Sequence, residues 1–299
     1  DQLAECRWTN EIAGEVHAQA ARETGLAVGT KVTTGTADAS AEALSAGVMS
    51  PGDMMIMYGS SIFIIHVVEK LVKDKRLWAG PYMFKGTYSL AAGMSCSGTL
   101  IRWFRDNFAQ DIVQKAQAEG LNPYAAMTAL AEGIPPGSDG LVVLPYFSGE
   151  RTPINDPMAK GMVYGLNLLH TRGHVYKAIL EGIGYGIRQH MEIFEELGVD
   201  TRKIMAVGGG VKNAVWLQAV SDICGKTQQY PQVESGAAYG DAMLAALAVG
   251  HYPDLETLSR LVRMKGKSVP EMSNHEVYRP LARKYRDLYL ATSKIMHEP

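Results

Sequence analysis

The sequence predicts an α/β protein, a mixed sheet flanked by helices, and three observations carry that expectation. Short apolar runs alternate with helix-period segments through the second half: KIMAVGG (203–209), AVWLQAVSDIC (214–224), QQYPQV (228–233) and AAYGDAMLAALAVG (237–250). DMMIMYGSSIFIIHVV (53–68) reads as two buried strands joined at Gly59-Ser60-Ser61. At 299 residues, 46% of them hydrophobic, the chain is long enough to bury a large core without staples.

In chain order, EIAGEVHAQAARETGL (11–26) reads as a helix ending near Gly25. KVTTGTAD (31–38) is a β-rich run that ends in a polar loop at Asp38, and AEALSAGV (41–48) is a small-residue helix suited to close packing. Residues 80–98 look irregular, after which SGTLIRWFRDNF (97–108) opens a helix and YAAMTALAEG (124–133) adds more. GLVVLPYF (140–147) is a short buried strand. The Gly/Pro-punctuated loop SGERTPINDPMAKG (148–161) then leads into MVYGLN (162–167). A long helix covers roughly His174 to Leu197. At the C-terminus Tyr278, Leu281, Tyr285, Leu288, Thr292 and Ile295 recur at three- and four-residue steps, the seam of an amphipathic helix.

A formal net charge of -2 gives no electrostatic reason to expect nucleic acid or an anionic membrane as partner. Cys6, Cys96 and Cys224 lie far apart and form neither a zinc spacing nor a disulfide framework, which points to a reducing cytoplasm. No stretch reads as a signal peptide or a transmembrane run. The start at Asp1, already inside polar helix-prone sequence, suggests a fragment.

The glycine knot at 208–210 invites a nucleotide reading, yet both simple phosphate patterns fail. A dinucleotide fingerprint would need glycine where Asn213 stands, and the P-loop ending suggested by Gly225-Lys226-Thr227 lacks its earlier glycine at Val220. Three Gly/Ser turns nevertheless follow strands or open helices: Gly59-Ser60-Ser61, Ser97-Gly98-Thr99 and Gly208-Gly209-Gly210. Glycine lets a ligand approach backbone where a Cβ would collide, and helix N-termini favour phosphate. Each turn alone is more often only a turn. Asp38, between a strand and a helix, reads equally as a helix cap or as a base. His170 and His174 have chelating spacing but no third ligand, so capping or surface roles are expected. Glu150, Arg151 and Asp156 suggest an Arg–carboxylate pair stiffening their loop, and Trp103 and Trp216 read as core anchors.

GMVYGLNLLHTRGHVYKAILE (161–181) resembles the C-terminal signature of the FGGY carbohydrate kinase family, of the xylulokinase-like type. The match holds at Gly161, Val163, Gly165, Leu166, His174, Val175, Ala178, Ile179, Leu180 and Glu181. GTADASAEALSAG, YGSSIF, GTLIRWFRD, GERTP, VGGGVKNAVW and GAAYGDAMLAA agree in order, so the resemblance runs from about Glu11 to the end. It implies an actin-like, ribonuclease-H-like ATPase fold whose two lobes close over sugar and nucleotide, with ATP and Mg2+ as cofactors. It makes Asp38 the catalytic base and gives Gly59, Ser60, Gly98, Arg102, Gly209, Gly210 and Asn213 to the nucleotide, with adenosine lying on the glycine knot. No metal ligand is assigned to this chain.

Two positions depart from the family, Ala39 after the base and Ala214 after the knot, where an amide is usual. A D-x-G-T phosphate loop and the N-terminal family signature are also missing. Residues 1–30 are therefore expected to be a connecting helix from an N-terminal lobe that acts as partner, and residues 31–299 the C-terminal lobe with its terminal amphipathic helix. The implied function is ATP-dependent phosphorylation of a sugar or polyol, a pentulose such as xylulose, with the isolated chain inactive. The rival is a non-catalytic nucleotide-binding module on an actin-like fold. A homodimer is compatible with either.

Overall fold

A computed structural model describes residues 5–233 and 236–298; residues 1–4, part of the expected connecting helix, lie outside that set, as does residue 299. The strands are β1 (Ile12–Glu15), β2 (Lys31–Thr33), β3 (Asp53–Tyr58), β4 (Ile62–Val68), β5 (Trp78–Pro81), β6 (Tyr88–Met94), β7 (Val142–Leu144), β8 (Met162–Tyr164), β9 (Lys203–Val207), β10 (Gln228–Pro231) and β11 (Met264–Ser268). The helices are α1 (Ala18–Thr24), α2 (Asp38–Ser45), α3 (Gly98–Phe108), α4 (Gln110–Ala118), α5 (Pro123–Ala131), α6 (Arg172–Glu196), α7 (Ala214–Cys224), α8 (Gly236–Ala248), α9 (Leu255–Ser259) and α10 (Met272–Met296).

Seven strands form one sheet in the order β11-β10-β9-β3-β4-β6-β5. β3, β9 and β10 run parallel and the remaining pairings are antiparallel, so the sheet is mixed, as expected. Continuous apolar runs such as DMMIMY suit strands covered on both faces. Met54, Ile56 and Tyr58 of β3 enter a core with residues of α3, α5, α6 and α7, while Met55 enters a second core with residues of α2 and α8. A third cluster joins β7 and β8 to α10 through Tyr146, Tyr278 and Tyr285.

Several expectations need correction. Residues 11–26 are not one helix: β1 pairs antiparallel with β2, and only Ala18–Thr24 is helical, capped by the His17 imidazole and by Gly25 in the left-handed region. Long-range pairing with KVT outweighs a weak local helix preference in IAGE. Residues 80–98 hold β6, because Ala91, Ala92 and Gly93 lack strand-like side chains but fit closely in the sheet interior. β11, MKGKS, escaped notice because edge strands tolerate glycine and lysine. In α10 Tyr278 and Tyr285 are buried, but Ile295 is 65% exposed and Met296 takes the inner place. Trp216 is 1% exposed and anchors the core, whereas Trp103 is 40% exposed and rests on Phe108 and Phe147.

Candidate functional site

The β3–β4 turn and the start of α3 form one knot. Ser97 Oγ and the Gly98 N–H donate to the Gly59 carbonyl at 3.0 and 3.1 Å. The Ser97 and Thr99 N–H groups, each at 3.1 Å, and Thr99 Oγ1, at 2.9 Å, donate to the Ser60 carbonyl. A Cβ on Gly98 would stand 2.5 Å from the Gly59 oxygen, so glycine is needed there for chain to pass chain.

The knot after β9 has a different logic at each glycine. Gly208 has φ +89°, and a Cβ there would lie 2.8 Å from the Tyr58 carbonyl. At Gly210 a Cβ would run into the Trp216 ring and the Tyr58 side chain. Gly209 has an ordinary φ and nothing within 4 Å of a Cβ, so no neighbour among the described residues requires glycine there. A single 3-10 turn, Gly209–Lys212, leads to Asn213, whose Oδ1 caps α7 at the Trp216 N–H (3.0 Å). Asn213 Nδ2 donates to Tyr176 Oη at 3.1 Å.

These pieces line a single cleft of about 680 Å³, within the range of small-ligand sites. Gly59, Ser60, Gly98, Arg102, Gly209, Gly210 and Asn213 are all on its wall. Arg105, Lys212, Tyr124 and Thr128 line it too and were not singled out in the sequence. Their signal was weak, since no local pattern marks them and only packing brings α3, α5 and the 209–212 turn onto one wall. Arg105 donates to Tyr124 Oη at 2.8 Å and lies over its ring. Among the described residues the lining contains three cationic side chains and no carboxylate. That wall suits a phosphate-bearing nucleoside, whose base or sugar could rest on the bare Gly209 backbone. It does not suit a hard divalent cation, which takes carboxylate oxygens, and no group of three or more His, Cys, Asp or Glu stands together among the described residues.

Asp38 is not part of that wall. It is exposed in the first turn of α2, one residue inside the cap position Ala37, and its Oδ1 accepts from the Ala39 N–H at 2.7 Å. The far end of α2 is tied to the beginnings of β3 and β9, since Asp53 accepts from the Met49 N–H and Lys203 Nζ donates to the Gly47 carbonyl. α2 therefore runs back toward the sheet edge that carries Gly59 and Gly208. Farther along it, Glu42 and Ser45 line a small cavity beside Gly208 and Gly209. Burial, followed by the charge of Asp38, raises the Glu42 carboxyl above its ordinary range.

The remaining candidates are structural. His174 completes a capping box with Thr171 at the start of α6, and His170 Nδ1 accepts from the Asn167 N–H. The expected Arg–carboxylate pair in loop 148–161 does not form. Glu150 accepts from the Ser95 and Arg151 N–H groups, and Asp156 accepts from Tyr289 and His297 of the C-terminal region. Glu181 is fully buried and accepts from the Gly137 N–H, Ser138 Oγ and Tyr278 Oη. Burial pushes its carboxyl up to about 7, with those hydrogen bonds pulling the other way.

A family model for the C-terminal domain of the FGGY carbohydrate kinases matches residues 54–249. The xylulose kinase of Bacillus subtilis (strain 168) is 30% identical over 293 residues, which cover 96% of this chain and 56% of that protein. The gluconokinase of the same strain is 27% identical over 283 residues, 94% of this chain and 55% of the relative. A solved xylulose kinase from Rhodospirillum rubrum superposes with a TM-score of 0.89 at 33% identity, over 98% of this chain and 58% of that one. The chain thus spans about half the length of the curated relatives it matches. Its fold is the actin-like, ribonuclease-H-like fold of sugar kinases. No helix among the described residues is long and apolar enough to cross a membrane.

Proposed function

The chain belongs to the FGGY family of carbohydrate kinases, and from that premise we propose that it is the nucleotide-gripping half of an ATP-dependent sugar kinase. The observation that carries this reading is the convergence of three glycine turns on one cationic cleft, with Gly209 open to it. The backbone at Gly209 and Gly210 carries the adenosine, while Arg102, Arg105 and Lys212 face the phosphates. Asp38 accepts the proton of a sugar hydroxyl as that oxygen attacks the γ-phosphate in line; positioning and charge placement supply most of the acceleration. Mg2+, when bound, neutralises phosphate charge, and its carboxylate ligands come from outside this cleft. The sugar is a pentulose of the xylulose type, and an N-terminal lobe supplies most of its contacts.

The test is ADP release by the full-length protein over a panel of xylulose, ribulose and gluconate, with xylulose expected to give the highest kcat/KM. Asp38→Ala should lower kcat by about 10²–10⁴ or more while ADP affinity stays unchanged. Retained turnover removes Asp38 from the mechanism. The 299-residue chain alone is expected to bind ADP weakly and transfer no phosphate. Sugar-dependent ADP release by that chain would overturn the two-lobe reading.

A further inference from the structure

We propose that Glu150 is a positioning residue of the cleft: its carboxylate fixes the Ser95–Gly98 segment, and through it the Gly59–Ser60 turn on the cleft wall. The inference rests on the nucleotide reading of that cleft and extends it to a residue outside the wall.

The chain leaves β6 at Met94 and turns into α3 at Gly98, so Ser95, Cys96 and Ser97 aim the start of α3. Glu150 Oε1 takes the Ser95 N–H at 2.6 Å and the Arg151 N–H at 2.7 Å. Two residues on, Thr152 Oγ1 accepts from the Gly93 N–H at 2.7 Å and lies 3.0 Å from His190 Nε2, pinning the same stretch of β6 to α6. The loop that carries these side chains is itself held: the Glu150 N–H donates to the Asp156 carbonyl at 2.8 Å. The Asp156 carboxylate accepts from Tyr289 Oη and His297 Nε2, each at 2.8 Å.

A carboxyl that is only 5% exposed is costly to bury, so its placement needs a reason beyond filling space. Burial raises it to about 7, opposed first by the N–H groups of Ser95 and Arg151. Those N–H groups are the reason. Without Oε1 the Ser95 N–H loses its acceptor, and the segment whose Ser97, Gly98 and Thr99 grip the Gly59 and Ser60 carbonyls loses its fixed origin.

The experiment compares Glu150→Leu, Glu150→Gln and Asp156→Asn in the full-length protein, reading ADP affinity by calorimetry, Tm, and amide exchange at residues 59–61 and 96–99. Glu150→Leu should weaken ADP binding about tenfold and speed exchange in both segments, with the sugar KM at saturating ATP unchanged. Glu150→Gln keeps the Oε1 acceptor and should stay within about threefold of wild type, a rescue that a requirement for bulk alone does not predict. Asp156→Asn loosens the same loop from its other side and should lower Tm without changing ADP affinity. Should the leucine variant fail to fold, Glu150→Asp withdraws the carboxylate from Ser95 by one methylene and serves the same comparison. Wild-type ADP affinity in Glu150→Leu, or an equal loss in Asp156→Asn, overturns the proposal. If the wild-type protein binds no ADP, the nucleotide reading fails. Exchange then decides the positioning role alone, supported by acceleration confined to the two segments and overturned by acceleration across the whole sheet.

Discussion

The two faces of the central sheet are built differently. On the face covered by α3, α6 and α7, buried polar and ionisable groups staple loops to helices. Glu150 holds Ser95, Thr152 holds Gly93, and Glu181 holds Gly137, Ser138 and Tyr278. Asp222, also buried, accepts from Gln218, Asn274 and the Glu271 N–H. The face covered by α2 and α8 is packed with Ala43, Leu44, Met55, Met205, Met243 and Leu244, and its helices meet by close backbone approach. Directional bonds fix loops in one geometry, while apolar packing fixes a distance and leaves orientation looser. The face that aims the cleft relies mainly on the first device; the face that carries Asp38 relies mainly on the second, with Asp53 and Lys203 stapling only the far end of α2.

The strongest way to break the contrast lies on the apolar face. A Cβ at Gly240 would run into the Ala41 carbonyl, so Gly240→Ala forces α8 and α2 apart. A loss at or above about 3 kcal/mol is expected in urea unfolding, since backbone yields less readily than a side chain. A variant as stable as wild type would mean that the two helices are not in backbone contact. On the other face, Gly210→Ala meets the Trp216 ring and the Tyr58 side chain, which can shift; about 1–3 kcal/mol and a clear loss of ADP affinity are expected.

The staples can be tested by pH. Glu181 keeps its proton in the folded protein up to about 7 against an ordinary 4.5, because burial penalises its charge. The folded state therefore binds more protons than the unfolded one across that window, and this stabilisation is lost as pH rises through it. His66 and His190, lowered by burial from 6.5 to about 4, act in the opposite sense: their contribution is lost as pH falls from 6.5 toward 4. Glu181→Gln should leave Glu150, also raised to about 7, as the remaining opponent of the histidines, so that stability rises more steeply than in wild type by about 1.4 kcal/mol per pH unit between about pH 5 and pH 6.5. An unchanged slope would mean that Glu181 is ionised in the folded protein. The smallest stability effect belongs to Gly209→Ala. Its Cβ meets none of the described residues, so Tm should hold within a degree or so of wild type while ADP affinity falls. Unchanged ADP affinity would free Gly209 from any ligand.

Much of this was legible in the residues. The paired runs 53–58 and 62–68, the helix 214–224 and the long helix near 174–197 show plain periodicity and punctuation, and each stands where expected. The signature at 161–181 was legible as a pattern, although its residues mostly serve the fold. Gly161 makes room for the Phe147 ring, Gly165 takes φ +94°, His174 caps α6 and Glu181 ties three segments together. β6 and β11 were not legible, because Ala, Gly, Ser and Lys become strand residues only when a neighbouring strand offers its hydrogen bonds.

By itself the sequence determined the elements with strong local signals, the order of the glycine turns and the family to which they belong, because spacing and backbone permissiveness are properties of the chain. Only the tertiary structure decided that three turns separated by up to about 150 residues share one wall with Arg105 and Tyr124, that Asp38 stands off that wall, and that Gly209 alone among the knot's glycines is open. Those facts depend on which surfaces burial and hydrogen bonding bring into contact, and no local pattern encodes a contact between residues so far apart.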